Sequence, residues 1–320
     1  MIPTYDEAAI RRVMTPALAV RAVREAFKAD GEGRTTVPPV INLPVAGGEF
    51  HIKTAVIDGV PSVAIKIASG FPENSRRGLP PGSGMMAVFD ARTGLPAALL
   101  LDNGFLTDIR TGAAGAVAAE CLARTDAATV GVIGSGLQAR HQVICLCEVR
   151  QPRRLLAWSP EPAQLEEYCA EMRQRCGLDA RAMPDVESVC RGADLLITAT
   201  PARSPLVLAE WLRPGLHVTA LGADSPGKQE LDVACLDRAD LVVVDRLSQC
   251  AAFGELSSAL AAGVFSVDRV HAELGAVVAG RRPGRTSDRQ ITIADLTGVG
   301  FQDTAIAAAA LERLAERSTD

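Results

Sequence analysis

The second half of the chain alternates between short apolar runs and longer segments of mixed polarity. The apolar runs have the length of buried strands, and the segments between them have the length of helices. This alternation predicts a parallel, doubly wound sheet, because parallel neighbours need a crossover connection. The predicted strands are Thr129–Ile133, Leu155–Trp158, Asp194–Pro201, Leu216–Gly222, Ala239–Asp245 and a last strand within Ile291–Gly300, and the first predicted helices between them are Leu137–Val149 and Pro162–Gly177.

The first part of the chain has a different pattern. Helices are predicted at Tyr5–Arg12 and Ala17–Ala29, and short strand-like runs separated by Gly and Pro then predict a mostly antiparallel sheet between Val37 and Leu101. The Ala/Gly-rich helix Leu106–Leu122 is suited to close packing on a neighbour, in this chain or in another subunit. With an amphipathic closing helix, Thr304–Arg317, the predicted fold class is α/β: a Rossmann doubly wound domain plus a mixed α+β domain.

Composition and charge narrow the classes of partner. The 320 residues are 48% hydrophobic and 22% charged, with a formal net charge of −5, which is typical of a globular protein. No basic cluster indicates a nucleic-acid surface, and no apolar run has the length of a membrane helix or a signal peptide. We therefore expect a cytoplasmic protein with a small-molecule partner. The eight cysteines form no CxxC pair and the four histidines no HExxH motif, so we expect free thiols and no metal site.

A glycine-rich turn follows the first strand of the alternating region. Gly134, Gly136 and Ala139 form a GxGxxA motif, with Leu137 and Gln138 between the last two positions. The first glycine allows a tight turn, the second allows a pyrophosphate to approach the backbone, and the helix that begins here supplies free N–H groups. Because the motif lies between a strand and a helix, it predicts a dinucleotide site, with a plain glycine turn as the alternative.

The end of the second strand bears on the choice of dinucleotide. NAD-binding folds usually place an acid there to bind the ribose 2′-hydroxyl, but this chain has Ser159. A serine does not repel a 2′-phosphate, which favours NADP over NAD. Glu161, two residues later, argues the other way, and Ser159 could instead cap the helix that follows.

Five motifs together resemble those of the ornithine cyclodeaminase/mu-crystallin family, in the same order and spacing. They are IKIASGFPENSRRGLP, TDIRTGAAGAVAA, GVIGSGLQAR, ALGADSPGKQELD and ITIADLTGVGFQDTAIA. The resemblance covers about Val37 to Ala315 and implies a dinucleotide domain inserted between two parts of a substrate-binding domain that also forms a homodimer. It predicts domains at residues 1–125 and 126–298, with a C-terminal helix at 299–320 that returns to the first domain.

The resemblance also implies roles for individual residues. Lys66 and Arg110 match the cations that bind the substrate carboxylate, and a buried carboxylate does need such partners. Asp224 matches the catalytic aspartate, which holds or protonates the substrate nitrogen, and Lys66 is predicted to be catalytic with it. Asp224 could also simply start a turn. The remaining predicted cofactor contacts are Thr111, Thr200, Thr297 and Gly298.

The chain departs from the family pattern at the predicted substrate site. Lys53 stands where ornithine cyclodeaminases have a glutamate, and Pro39 lies where the family often has an arginine. A site with Lys53, Lys66 and Arg110 is poorly suited to the distal ammonium of ornithine or lysine, because like charges repel. A mono- or dicarboxylic imino or keto acid suits it better.

Three functions follow from the resemblance. The first is an NAD(P)-dependent oxidoreductase that transfers a hydride at the α-carbon of an amino or imino acid, such as a cyclic imine reductase or an alanine dehydrogenase. The second is an ornithine or lysine cyclodeaminase, which releases ammonia and uses tightly bound NAD. The third is a protein similar to mu-crystallin that binds NADPH without turnover. The predicted ranking places the oxidoreductase first.

Overall fold

A computed structural model of the chain describes residues 2–317, with only the backbone of Ser75. Residues 1 and 318–320, the outer ends of the predicted domains, lie outside the described residues. The chain divides into two compact units: Met1–Arg110 with Val299–Asp320, and Thr111–Gly298. The boundary between Arg110 and Thr111 lies before the predicted one after residue 125. It falls inside the continuous helix Phe105–Leu122. Within residues 2–317 no helix is both long and apolar enough to cross a membrane.

The chain up to the first unit boundary forms two helices and seven strands before a long third helix. A 3₁₀ turn at Pro72–Arg77 precedes the sixth strand. The elements are β1 (Thr4–Asp6), α1 (Glu7–Val13), α2 (Pro16–Gly31), β2 (Thr35–Thr36), β3 (Ile41–Val45), β4 (Gly48–Ile57), β5 (Ser62–Gly70), β6 (Gly82–Asp90), β7 (Pro96–Leu101) and α3 (Phe105–Leu122).

The rest of the chain alternates between strands and helices and ends in a helix of the first unit. Two further 3₁₀ turns lie at Ala209–Trp211 and Val267–Arg269. The elements are β8 (Thr129–Ile133), α4 (Leu137–Leu146), β9 (Arg154–Trp158), α5 (Pro162–Cys176), β10 (Asp179–Ala182), α6 (Val186–Gly192), β11 (Leu195–Thr198), β12 (Arg203–Val207), β13 (His217–Ala220), β14 (Gln229–Leu231), α7 (Ala234–Arg238), β15 (Leu241–Val244), α8 (Leu247–Cys250), α9 (Glu255–Ala261), β16 (Ala272–Glu273), α10 (Leu274–Val278), β17 (Thr292–Asp295) and α11 (Gly300–Arg317).

The first unit is built on a seven-stranded sheet with α11 packed against β4 and β5. Its strands pair in the order β1-β7-β6-β5-β4-β2, with β3 also paired to β4, and only the β1–β7 pair is parallel. Side chains alternate along each strand, so one face is buried and carries Ala55, Ala64 and Val88. The close contact with the helix depends on Gly300, since a Cβ there would collide with the backbone of Thr54.

The second unit contains an eight-stranded sheet in which every pair is parallel. The strand order is β10-β9-β8-β11-β13-β17-β15-β16. The central strands are buried along their whole length, as in Thr129–Ile133 and Leu241–Val244, which is why they read as continuous apolar runs. Because the strands are parallel, their carboxyl ends lie along one edge of the sheet, where ligands bind in such folds. The predicted α/β fold with a mixed second sheet is confirmed.

Local differences from the sequence predictions have physical causes. Tyr5 lies in β1, which pairs with β7, so the first helix begins only at Glu7, where the Asp6 carboxylate accepts the Ala9 N–H at 2.7 Å. The helix after the glycine turn ends at Leu146, before the predicted Val149. The strands β10, β12, β14 and β16 were not predicted, because they are short and only partly buried and so form no continuous apolar run.

The helix α3 packs on α4 of the same unit through its glycines. A Cβ on Gly112 would lie 2.5 Å from the His141 carbonyl oxygen, and one on Gly115 would collide with the Gln142 amide. Gln142 also donates to the Thr111 carbonyl at 2.8 Å. The close packing that the small residues predicted is therefore made within the chain.

Candidate active site

Lys53 and Lys66 lie directly opposite each other in the first-unit sheet. They are register partners in the antiparallel pair β4–β5, so both side chains project from the same, buried face. They are 7% and 2% exposed. Two ammonium groups in this arrangement repel each other, and they need an anion between or beside them.

Asp303 is one anion that the protein supplies, and a second buried carboxylate, Asp102, also interacts with the charge of Lys66. Asp303 is fully buried on α11, and its Oδ1 accepts hydrogen bonds from Lys66 Nζ and Arg110 Nε, each at 3.0 Å. Arg110 also donates from Nη1 to Gln302 Oε1 at 3.1 Å. The neighbouring Thr304 fixes the helix here, because its hydroxyl donates to the Ala55 carbonyl at 2.8 Å.

Burial and charge act in opposite directions on these groups. Burial lowers the pKa of Lys66 from 10.5 to about 7, although the Asp303 carboxylate opposes this and the nearby Arg110 and Lys53 add to it. Burial tends to raise the pKa of Asp303, but the charges of Lys66, Arg110 and Lys53 outweigh it and hold that pKa below its ordinary value. Lys66 can therefore gain or lose a proton near neutral pH.

The cluster of Lys53, Lys66, Arg110 and Asp303 is rich in positive charge. It contains three cations and one carboxylate, whose Oδ1 two of the cations already share. The second oxygen, Asp303 Oδ2, and the Gln302 amide nitrogen are buried and have no hydrogen-bond partner among residues 2–317. We call this group the cation cluster. Its composition suits the binding of a further anion.

The glycine turn of the second unit leaves room where a phosphate is expected. Gly134 has φ +116°, and a Cβ there would lie 2.6 Å from the Ala199 carbonyl oxygen, so this position requires glycine. Gly136 is the N-cap of α4, and a Cβ there would have nothing within 4 Å. Leu137 and Gln138 follow as the first residues of the helix. The backbone of the turn is therefore accessible to a pyrophosphate.

Two polar contacts support this turn. Arg140, which was not predicted, donates to the carbonyls of Ser135 and Gly136 and pairs with Glu171 at 2.6 Å. Ser159, directly after β9, is 7% exposed, and its hydroxyl bonds with that of Ser135 at 2.9 Å. In the alternative role as a cap of α5, Ser159 accepts the N–H of the N-cap residue Glu161 at 3.4 Å, but no side chain bonds to the first turn of the helix itself.

Other predicted residues follow the carboxyl ends of the same sheet. Thr200 comes after β11, Asp224 after β13, and Thr297 with Gly298 after β17, so the parallel topology brings them to the edge that carries the glycine turn. Asp224 is 51% exposed, and its Oδ1 accepts from Lys228 Nζ at 2.6 Å and from Ser225 Oγ at 3.1 Å.

Several residues that build these sites carried no role in the sequence analysis. Asp303 and Gln302 lie in the motif ITIADLTGVGFQDTAIA, which helped to indicate the family but gave these two residues no role. A usable signal existed for Asp303: it precedes an uninterrupted apolar stretch, Ala305–Ala310, on an amphipathic helix, where a charged residue is unexpected.

The sequence matches the family model described as the ornithine cyclodeaminase/mu-crystallin family over residues 2–318. The chain belongs to this family. The predicted family is thereby confirmed. The prediction of an enzyme is confirmed as well, because the chain's relatives are named as reductases and dehydrogenases.

Three relatives illustrate the likeness. An iminosuccinate reductase of Paracoccus denitrificans is 33% identical over 96% of this chain and 94% of its own. The solved structure of an archaeal alanine dehydrogenase dimer with bound NAD has a TM-score of 0.94 at 35% identity, covering 99% and 97% of the two chains. The Δ¹-pyrroline-2-carboxylate reductase of Thermococcus litoralis, solved with NADH and L-proline, has a TM-score of 0.95 at 29% identity and covers 99% and 98%.

Proposed function

We propose that this protein is an NAD(P)H-dependent reductase of an α-imino acid, which runs as an amino-acid dehydrogenase in the reverse direction. The cation cluster is the observation that carries the proposal. Its Lys66 and Arg110 bind the substrate carboxylate, with Lys53 as a further cation. Arg110 supplies a planar fork and the lysines supply point charges, which is the donor set that a carboxylate prefers.

The same cluster argues against an ornithine or lysine substrate. A diamino acid brings a second ammonium group, which needs a carboxylate of its own. Asp303 already binds both Lys66 and Arg110, and Lys53 replaces the glutamate of the cyclodeaminase pattern. A mono- or dicarboxylic acid without a distal cation is the better match, as in the reductases and the dehydrogenase compared above.

The second unit has a backbone that fits a dinucleotide, since Gly136 opens the N-terminus of α4 and Gly134 makes the turn before it. When bound, the dihydronicotinamide supplies the hydride. The residues proposed to hold the dinucleotide are Gly134, Gly136, Leu137, Gln138, Ser159, Thr111, Thr200, Thr297 and Gly298.

Asp224 is the proposed acid–base group at the substrate nitrogen. Reduction of a protonated imine moves one hydride, with its two electrons, to carbon and leaves the nitrogen as a neutral amine. Asp224 donates or accepts the protons at this nitrogen, directly or through a water. Its carboxylate also pairs with Lys228, whose Nζ lies 2.6 Å from Asp224 Oδ1.

NADPH is the proposed reduced cofactor, on the ground that Ser159 and not an acid follows β9. Two of the solved relatives hold NAD or NADH, so the comparison of kcat/KM for NADPH and NADH is a direct test. A clear preference for NADH would reject the role given to Ser159.

We also propose a cytoplasmic homodimer. The sheet face opposite α11 carries apolar side chains that are only half-buried in the single chain, among them Ile52, Ile65, Met85 and Leu99. A second copy would cover this face, as monomers rarely expose such a patch. All eight cysteines are free, which suits a reducing compartment. Sedimentation of wild type and of Ile65→Glu tests the dimer: the variant should sediment as a monomer.

The decisive experiment compares two reactions on purified protein. Oxidation of NADPH and NADH is followed with pyrroline-2-carboxylate, and with pyruvate or oxaloacetate plus ammonium. Ammonia release from ornithine and lysine is followed without added reduced cofactor. Net oxidation of the cofactor supports the proposal. Efficient ammonia release would instead identify a cyclodeaminase, and tight cofactor binding with neither reaction would identify a binding protein similar to mu-crystallin.

A further inference from the structure

Two fully buried carboxylates of the second unit bind the loops at the carboxyl edge of its sheet. Glu230 lies on β14, and Asp245 directly follows β15; both are 0% exposed. Neither is part of the site proposed above. The loops that they bind contain Thr200, Thr297 and Gly298, which are proposed cofactor contacts.

Glu230 joins the loop after β11 to the loop after β13. Its Oε1 accepts from the Thr200 N–H at 2.6 Å and the Thr200 hydroxyl at 2.7 Å. Its Oε2 accepts from the Gly222 N–H at 2.8 Å and the Thr198 hydroxyl at 2.6 Å. A Cβ on Gly222 would collide with the Thr200 carbonyl and with the Glu230 carboxylate, so the two loops are in direct contact.

Asp245 holds the turn after β17 in the same way. Its Oδ2 accepts the N–H groups of Thr297 at 2.9 Å and Gly298 at 2.6 Å, and its Oδ1 accepts the Thr297 hydroxyl at 3.0 Å. Gln249 completes the arrangement, since its Nε2 donates to Thr297 Oγ1 at 2.8 Å and to the Gly298 carbonyl at 2.9 Å. The turn is thus held from its N–H, hydroxyl and carbonyl groups.

Burying an ionised carboxylate costs free energy unless hydrogen-bond donors surround it in fixed positions. Within residues 2–317 no group of three or more His, Cys, Asp and Glu side chains is arranged to hold a metal ion. The donors here are backbone N–H and threonine hydroxyl groups of loops, which are ordinarily mobile segments. The effect of the contacts is to remove that mobility at the residues proposed to contact the cofactor.

We propose that Asp245, assisted by Gln249, and Glu230 are positioning residues, which hold Thr297, Gly298 and Thr200 in the geometry that hydride transfer requires. The inference rests on the proposed function. It deepens that function by assigning residues that hold the proposed cofactor contacts in place without contacting substrate or cofactor themselves. Small displacements of groups that contact the reactants lower the reaction rate steeply.

The test uses Asp245→Asn with a matched control. Asp245 Oδ1 also accepts the Arg246 N–H at 2.9 Å, so both carboxylate oxygens accept a backbone N–H. Whichever way an asparagine faces, its NH₂ group therefore meets a backbone N–H. The control is Asp194→Asn at the opposite, amino end of the sheet, just before β11. There Asp194 Oδ2 also accepts two backbone N–H groups, of Ala128 at 3.1 Å and Thr129 at 3.0 Å. Gln249→Met provides a second variant that buries no unpaired charge.

Three quantities are measured for each protein: kcat for imine reduction, the Kd of NADH, and the nicotinamide fluorescence of bound NADH. For Asp245→Asn and Gln249→Met we expect kcat to fall roughly tenfold or more and the fluorescence to change, while the Kd changes less than about threefold because the glycine turn still binds the pyrophosphate. Asp194→Asn should lower the melting temperature and leave both kcat and fluorescence unchanged.

The outcomes are separable. Unchanged kcat and fluorescence in Gln249→Met, or an equal loss in Asp194→Asn, would overturn the positioning role, and Gln249→Met decides alone if Asp245→Asn fails to fold. A wild-type protein that binds NADH but reduces none of the acids contradicts the proposed substrate class only, and the fluorescence comparison still decides this inference. A wild-type protein that binds no dinucleotide overturns both.

Discussion

The pKa of Lys66 leads to a quantitative prediction about carboxylate binding. With that pKa lowered to about 7 by burial, Lys66 loses its proton in the free protein as the pH rises above 7. An anionic ligand stabilises the charged form, so binding above pH 7 must take up a proton, whereas binding below pH 7 need not. The affinity for a carboxylate should therefore be constant at low pH and fall at high pH.

The size of the change in Kd follows from how far the pH lies above the pKa of Lys66. Each pH unit above the pKa weakens binding about tenfold, so the Kd should rise on the order of 100-fold between pH 6 and pH 9. A suitable ligand is pyrrole-2-carboxylate, a planar analogue of pyrroline-2-carboxylate that stays ionised throughout. Titration calorimetry at saturating cofactor, in buffers of different ionisation enthalpy, should also record the uptake of about 0.9 proton at pH 8.

Two variants assign the effect to Lys66. In Lys66→Met the affinity should be independent of pH, and at pH 6 it should be roughly 10- to 150-fold weaker than in wild type, since one hydrogen bond between charged groups is worth about 1.5–3 kcal/mol. Lys28→Met, which removes an exposed lysine near the end of α2, should keep the wild-type curve. A flat wild-type curve, or a slope that survives in Lys66→Met, would refute the reasoning.

Three further substitutions test the sites. Gly136→Val should abolish stabilisation by dinucleotide in a melting assay, because the side chain would occupy the space proposed for the pyrophosphate. The protein should stay folded, because no protein atom lies within 4 Å of that side-chain position. Near wild-type cofactor affinity would contradict the glycine motif. Arg110→Lys should lower kcat/KM roughly tenfold or more, as the fork that binds Asp303 and Gln302 is lost; activity within about twofold of wild type would remove Arg110 from the site. Lys53→Glu should lose imine reduction, with ornithine or lysine cyclodeamination level or raised; if both activities stay unchanged, Lys53 does not face the substrate.

Periodic patterns made most of the fold predictable. The strands β8, β11, β13 and β15 are buried along their length, so they are mostly apolar, and that pattern is visible in the sequence. The glycine turn was predictable for a related reason. Gly134 is required by its φ of +116°, a backbone property that acts within a few residues of the chain, and Gly136 completes the motif two positions later.

The polar contacts inside the sites were not predictable in this way. Asp303 meets Lys66 across 237 residues of sequence, and Glu230 meets Thr198 across 32. No local property of Asp303 shows that a strand will bring an ammonium group to its carboxylate. The family resemblance identified the motif that contains it, yet the role of Asp303 became visible only from the distances.

The pairing of β4 with β5 shows how the hydrophobic pattern determines the chemistry. Ala55 and Ile57 on β4 and Ala64 on β5 must face the core, and because side chains alternate, Lys53 and Lys66 must face it as well. Like charges directly opposite each other destabilise a sheet. Asp303 offsets only part of that repulsion, since it also binds Arg110. Apolar residues at both positions would favour stability, so the lysine pair breaks a local rule in the way that functional residues do, in keeping with the proposal that the substrate carboxylate binds here.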